Sequence, residues 1–299
     1  MAFYFSNLAQ SLYFDLGQVD VLTGLFTATG GSTTTFVNTN WANLPDPPEE
    51  DFIKSYLAIV ARDAGGASAA PELEYSLVSA YAEATNTATI GTLTAAIAAN
   101  DTVMLAKQDQ FPVDILMFAA NRALQHLGDI VLVDESITTS GSDQYYSIPV
   151  GLKRRPPLAV FYKRASDVEQ DIPVTNWKFY PATAGSAGSI FIPDPLDGKT
   201  LVLYYKGIHP LLTAYNSQIL ETIHPDIVVL STKIALFEWW NSQGSGSDMD
   251  IWKESTKWPQ QLAVAKAEHP IWEMQPTASG FLVVGDGMHG YWSRGVGYP

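Results

Sequence analysis

Histidines, paired carboxylates and clustered cations are the residues of this chain with chemistry to offer, and their spacing is the first test of it. The five histidines stand at 126, 209, 224, 269 and 289. None is followed four residues later by another, so no H-x3-H pair presents two imidazoles to zinc from one helix face. His209 and His224 each precede a proline, which suits a turn or a helix cap. Gly285-Asp286-Gly287-Met288-His289-Gly290 is glycine-rich but lacks the lysine and the strand-then-helix setting of a phosphate loop. No G-x-S-x-G elbow occurs, and with no cysteine neither a disulfide nor a thiolate metal site can form. Asp194 and Asp197 flank a hairpin turn at Asp197-Gly198. Glu49-Glu50-Asp51, after a proline run, reads as a solvated turn, with a cation site as its alternative. The expectation is a protein with no catalytic, cofactor-binding or metal-binding residues, and not an enzyme.

Lys153-Arg154-Arg155 and Lys163-Arg164 form the single basic concentration. They have two uses, seating a phosphate backbone or bridging to acidic protein such as Asp167, Glu169 and Asp171 nearby. Neither aromatic interleaving nor a glycine loop accompanies them, so Lys153, Arg154, Arg155, Lys163 and Arg164 are expected to contact protein.

Charge as a whole points the same way. Seventeen basic against 31 acidic residues give a net charge of −14, a field that repels phosphate and disfavours tight nucleic-acid binding. Residues 1–110 hold 12 of the acidic and only 3 of the basic residues. Charged residues make up 16% and hydrophobic ones 46%, so much of the surface is expected to be covered by partners. The N-terminus has no basic region ahead of an apolar run, and no stretch reaches the ~18 apolar residues of a membrane span. Synthesis and use, or assembly, in the cytoplasm is the expectation.

The elements that would position these residues follow from periodicity. Residues 1–110 read as all-β, a small sandwich or barrel, from Val19–Phe26, Phe52–Ala61, Tyr75–Tyr81 and Thr102–Lys107 separated by glycine and proline breakers. Residues 92–99 would also tolerate a helix. From Pro112 to Leu127 the apolar positions Val113, Leu116, Ala120, Ala123, Leu124 and Leu127 share one side, and Gly128 supplies the cap. His126 sits at the edge of that side as a half-buried packing residue. Residues 130–207 return to period two, with five strands in one antiparallel sheet: Tyr146–Ile148, Leu158–Tyr162, Trp177–Phe179, Ser189–Ile192 and Leu201–Tyr205.

The stretch Ile219–Gln243 is the pillar. Pro225 fits the first helical position with His224 as cap. Ile223, Ile227, Leu230, Ile234 and Phe237 make one apolar face; Val228, Val229, Ala235, Leu236, Trp239 and Trp240 make another opposite. Such a helix buries both faces, either within a large single-chain core or with one face against another subunit. Taking the second option, the Phe237 face belongs to the protomer's own core, and Val228, Leu236 and Trp239 to a subunit contact. A final helix capped by Asp248 buries Ile251, Ser255, Trp258, Leu262 and Ala265, with a kink at Pro259. Beyond Pro270 no period survives, although Phe281–Val284 suits a strand. Trp272, Phe281, Tyr291, Trp292 and Tyr298 make this segment apolar enough to lie on another surface.

The order helix, inserted sheet, long helix, kinked helix resembles the head–tail adaptor (connector) proteins of tailed bacteriophages. The residues carrying the resemblance are Phe111-Pro112 with Ala120-Asn121-Arg122-Ala123-Leu124, then Tyr146-Ser147-Ile148-Pro149, then His224-Pro225. Gly91-Thr92-Leu93-Thr94 followed by Asp101-Thr102 is similar to β-domains of phage virion proteins. The resemblance implies an α+β chain in three parts: a β-domain at 1–110, a helical adaptor domain at 111–272 with a sheet inserted at about 130–207, and an extended tail at 273–299. It also implies a homo-oligomer, usually a dodecameric ring, in the virion neck below the portal protein and above tail or neck proteins. Genome DNA would pass through without tight binding, and no membrane would be involved. A capsid decoration protein is the alternative. A glycan-active enzyme or carbohydrate-binding protein is a second, with Trp177, Tyr180, Tyr204 and Tyr205 as the aromatic platform.

Overall fold

A computed structural model describes residues 2–19, 24–44, 48, 53–66, 69–148, 152, 156–164, 171–183, 188–243 and 254–271, and the backbone of Phe281–Leu282. The fold is α+β, and the chain forms two compact units. One takes the described residues of Met1–His126 and Pro210–Ile271; the other takes those of Leu127–His209 and the strand Phe281–Leu282. Residues on either side of position 110 belong to the same unit.

The first unit is built on a seven-stranded antiparallel sheet. Its order is Leu25–Thr27, Thr102–Ala106, Leu57–Arg62, Tyr75–Ala82, Thr87–Ile90, Thr35–Val37, Gly30–Gly31. Alternation sends Ala58, Val60, Val78, Val103 and Leu105 into a core completed by Phe36, Trp41 and Tyr81. Trp41 is its hub, with ring centroids 4.8 Å from Phe26, 5.8 Å from Tyr81 and 6.1 Å from Phe36. The opposite-parity residues Leu57, Ile59, Met104 and Ala106 are buried too, so the central strands are covered on both sides.

The first helix supplies part of that second cover, and it corrects the all-β expectation for residues 1–110. Helix α1 spans Phe5–Asp15 and packs on the Leu57–Arg62 strand. Phe5, Leu8, Ala9 and Leu12 recur at helical spacing and are all 0% exposed. Tyr4 N–H donates to Asn7 Oδ1 at 3.0 Å, satisfying one donor at the helix start, and Gly17 leaves the end with φ +67°. Residues 92–99, by contrast, form no helix.

Helix α2, Val113–His126, is as expected: Val113, Leu116, Ala119, Ala120, Ala123 and Leu124 are buried, and Gly128 follows at φ +84°. His126 is exposed rather than half-buried, because the stripe ends at Leu124. Helix α3 spans Pro225–Ser242, with the His224 side chain accepting from the Asp226 N–H. Helix α4 spans Trp258–Glu268. Pro259 opens this helix instead of kinking it, since within the first turn its missing N–H has no partner to lose. The expected Asp248 cap and Ile251 lie outside the described residues; Ser255, Trp258 and Ala265 are buried as expected.

In the second unit the expected single sheet is two. One four-stranded sheet has the order Tyr145–Ser147, Ser189–Phe191, Lys178–Tyr180, Phe281–Leu282; the other has Ile172–Pro173, Ala159–Tyr162, Thr200–Gly207, Ile130–Thr138. Ile130–Thr138, the longest strand among the described residues, lies at the edge of its sheet, where its second half, Asp134–Thr138, turns polar and largely exposed. Tyr146, Phe179 and Ile190 from one sheet meet Val160, Leu201 and Leu203 from the other in a single core. Phe281–Leu282 does pair as a strand, parallel to Lys178–Phe179. Gly198, at φ +65°, makes the expected turn before Thr200–Gly207.

Candidate functional site

The helices carry the first unit's polar groupings. Helix α3 lies along α2 and α4 and also meets α1. Its inward face is Val228, Thr232, Ala235, Leu236 and Trp240, with Val228 at 0% and Leu236 at 1% exposure. Val228 and Leu236, expected at a neighbouring subunit, are therefore inside the chain, because α2 offers a large apolar stripe to pack on. Ile223 and Ile227, of the face expected in the protomer's core, are buried as expected, at 2% and 0% exposure. Leu230, Ile234 and Phe237 are half-buried, as is Trp239. Phe237 lies 6.2 Å from Trp240 and 6.0 Å from Trp258, ring centre to ring centre.

A cleft of about 480 Å³ runs between α3 and α4, lined by Asp15, Asp226, Leu230, Lys233, Gln261 and Glu268 among others. Lys233 Nζ is 2.6 Å from Asp15 Oδ2 and 5.9 Å from the centre of the Trp258 ring. An ammonium held between a carboxylate of α1 and an indole face of α4 ties α3 to both helices.

At one end of this cleft three side chains converge that the sequence keeps apart. His224 caps α3, Asp226 lies in its first turn, and His269 caps the end of α4. The two imidazoles stack with centroids 3.7 Å apart and planes 8° from parallel. His224 Nδ1 is 3.4 Å from the Asp226 amide nitrogen and 3.6 Å from Asp226 Oδ2. One ligating atom from each residue falls within 4.8 Å of the other two; among the described residues this is the only such trio of His, Cys, Asp or Glu. Spacing rules miss it, because 45 positions separate His224 from His269 and only the antiparallel run of α3 and α4 brings them together.

The other expected site residues are dispersed. Lys163 is paired with Glu135 on the edge strand, a protein contact, though not with the acids expected. The Arg164 N–H donates to Asp171 Oδ1 at 3.2 Å. Lys153, Arg154, Arg155, Trp272, Tyr291, Trp292, Tyr298 and the Phe281 side chain lie outside the described residues, as do Glu49, Glu50 and Asp51. Trp177 and Tyr205 belong to the core of the second unit, so the aromatic platform expected of a glycan site is not assembled from all four residues. Asp197 Oδ1 accepts from the Gly141 N–H at 2.9 Å, a turn role. Buried carboxylates elsewhere are likewise structural: Asp101, 0% exposed, accepts from the N–H groups of Ala64 and Ala98 at 2.8 and 2.7 Å. No helix among the described residues is long and apolar enough to cross a membrane. Compared with protein-family models and with curated proteins, the chain matches none.

Proposed function

We propose that this chain is a structural virion protein: a head-to-tail adaptor that assembles as a ring below the portal of a tailed bacteriophage, with genome DNA passing through. The observation that carries the reading is the path of the chain. After α2 it forms a separate β unit over Leu127–His209, then returns to lay α3 along α2. That is the helix, inserted sheet, long helix order of the adaptors the sequence resembles.

Two further features agree. Phe14 on α1 and Phe118 on α2 are 68% and 60% exposed, large apolar side chains in a chain with little surface charge. A net charge of −14 suits a channel that DNA traverses without dwelling. Native mass measurement with negative-stain imaging of the purified protein tests the proposal. A closed ring supports it, whereas a stable monomer or dimer that gains no ring in the presence of portal protein refutes it, and a closed trimer points to a decoration protein.

A further inference from the structure

We propose that His224, Asp226 and His269 form a binding site for one divalent transition-metal ion, which ties the start of α3 to the end of α4. The donor set is two imidazoles and one carboxylate, the borderline-soft combination that suits zinc or nickel rather than magnesium or calcium. Geometry on the α3 side is nearly in place. Two ligands at about 2.0–2.1 Å from a tetrahedral ion lie about 3.4 Å apart, and His224 Nδ1 is 3.6 Å from Asp226 Oδ2. Nδ1 already presents its lone pair toward the helix start, where it accepts a long 3.4 Å bond from the Asp226 N–H. A bond at that length is weak, so exchanging it for a metal costs little.

His269 provides the third donor. Among the described residues, neither of its ring nitrogens has a hydrogen-bond partner, and its contact with His224 is the parallel stack. Parallel rings carry lone pairs that run side by side, so a shared ion requires the His269 ring to tilt. The residue stands at the C-cap of α4, where its N–H makes the last helical bond, to the Ala265 carbonyl at 2.9 Å, and its own φ of −126° and ψ of 70° already leave the helix. Asp226 contributes the negative charge that offsets the positive end of α3, which otherwise opposes a cation. Three protein ligands leave one position for water, and the helix end weakens the site; the expected dissociation constant is on the order of micromolar.

Occupancy would join residues 224–226 to 269 and so lock α3 against α4, whatever the chain's wider role. Equilibrium dialysis and thermal melts of the full chain with zinc chloride or nickel chloride test this. The expected result is one ion bound per chain and a rise in Tm of about 5 °C at saturation, with no response to magnesium. In His269→Ala and in Asp226→Asn the metal-free melt should stay close to that of the parent. Affinity should fall at least about tenfold in each, as expected when one ligand of a site is lost. His126→Ala, remote from the trio, should bind as the parent does. Absence of saturable binding at sub-millimolar metal, or full affinity in His269→Ala, would overturn the proposal.

Discussion

Asn121 on α2 exchanges two hydrogen bonds with the backbone of Leu212: its Nδ2 donates to the Leu212 carbonyl at 2.9 Å, and the Leu212 N–H donates to its Oδ1 at 2.7 Å. The side-chain amide acts as a strand partner for the chain just after it re-enters the first unit at Pro210. Asn121→Ala leaves both backbone groups without these partners, and stability should fall by about 1–3 kcal/mol. Urea denaturation of the purified protein measures it; an unchanged midpoint would mean water replaces the amide without penalty.

Leu236 and Phe237 are neighbours on α3 with different surroundings. Leu236 is 1% exposed, and Leu236→Ala should cost about 2–5 kcal/mol through lost burial and a residual cavity. Phe237 is half-buried, and Phe237→Ala should cost less, on the order of 2 kcal/mol. The same urea measurement ranks them, and the reverse order would contradict the inward face described above.

Thr232 is 0% exposed on that inward face, and its hydroxyl has no hydrogen-bond partner among the described residues. Thr232→Val replaces an unsatisfied donor with a methyl of nearly the same shape. The variant should be more stable by about 1 kcal/mol, read as a higher Tm. A lower Tm would show that the hydroxyl is satisfied in solution.

Tyr13 gives the fold an alkaline limit. Burial pushes its phenol well above the ordinary value of 10.0, while the bond with Gln108 pulls the other way and the charges of Tyr75 and Asp114 reinforce burial. Gln108 Nε2 donates to its hydroxyl at 3.0 Å, and the hydroxyl donates to the Phe111 carbonyl at 3.0 Å. In the folded protein the group stays neutral where the unfolded chain already ionises. Its contribution is therefore whole below pH 10.0 and is lost as pH rises from there toward the folded-state value. Urea midpoints should fall with pH in that range. They should fall less steeply in Tyr13→Phe, which loses about 1 kcal/mol at neutral pH for its hydrogen bonds. Parallel curves for the two proteins would assign the alkaline loss to other groups.

The exposed pair Phe14 and Phe118 bears on assembly. If the proposed ring forms, Phe118→Glu should leave the thermal melt of the monomer nearly unchanged, since the side chain is 60% exposed, and weaken assembly at least about tenfold by placing a charge in the contact. Sedimentation velocity separates the two species. A ring that survives both Phe14→Glu and Phe118→Glu would place the subunit contact elsewhere.

The sequence by itself determined what depends on neighbours along the chain. The apolar stripe of α2 fixed its buried residues, and Gly128 its end, because helical period and a left-handed cap are local properties. His224-Pro225 fixed the start of α3, and Asp197-Gly198 a turn, for the same reason. Helix α1 was legible too, in the spacing of Phe5, Leu8, Ala9 and Leu12, but its β-rich surroundings masked the signal. Tertiary structure decided the rest. A helix with apolar residues on two sides does not reveal which side meets α2, since both lower the same apolar exposure. Period-two segments do not say whether they join one sheet or two, because alternation records only that one face is buried. The stack of His224 on His269 arises where the start of one helix meets the end of another, and no local pattern encodes a meeting across 45 residues.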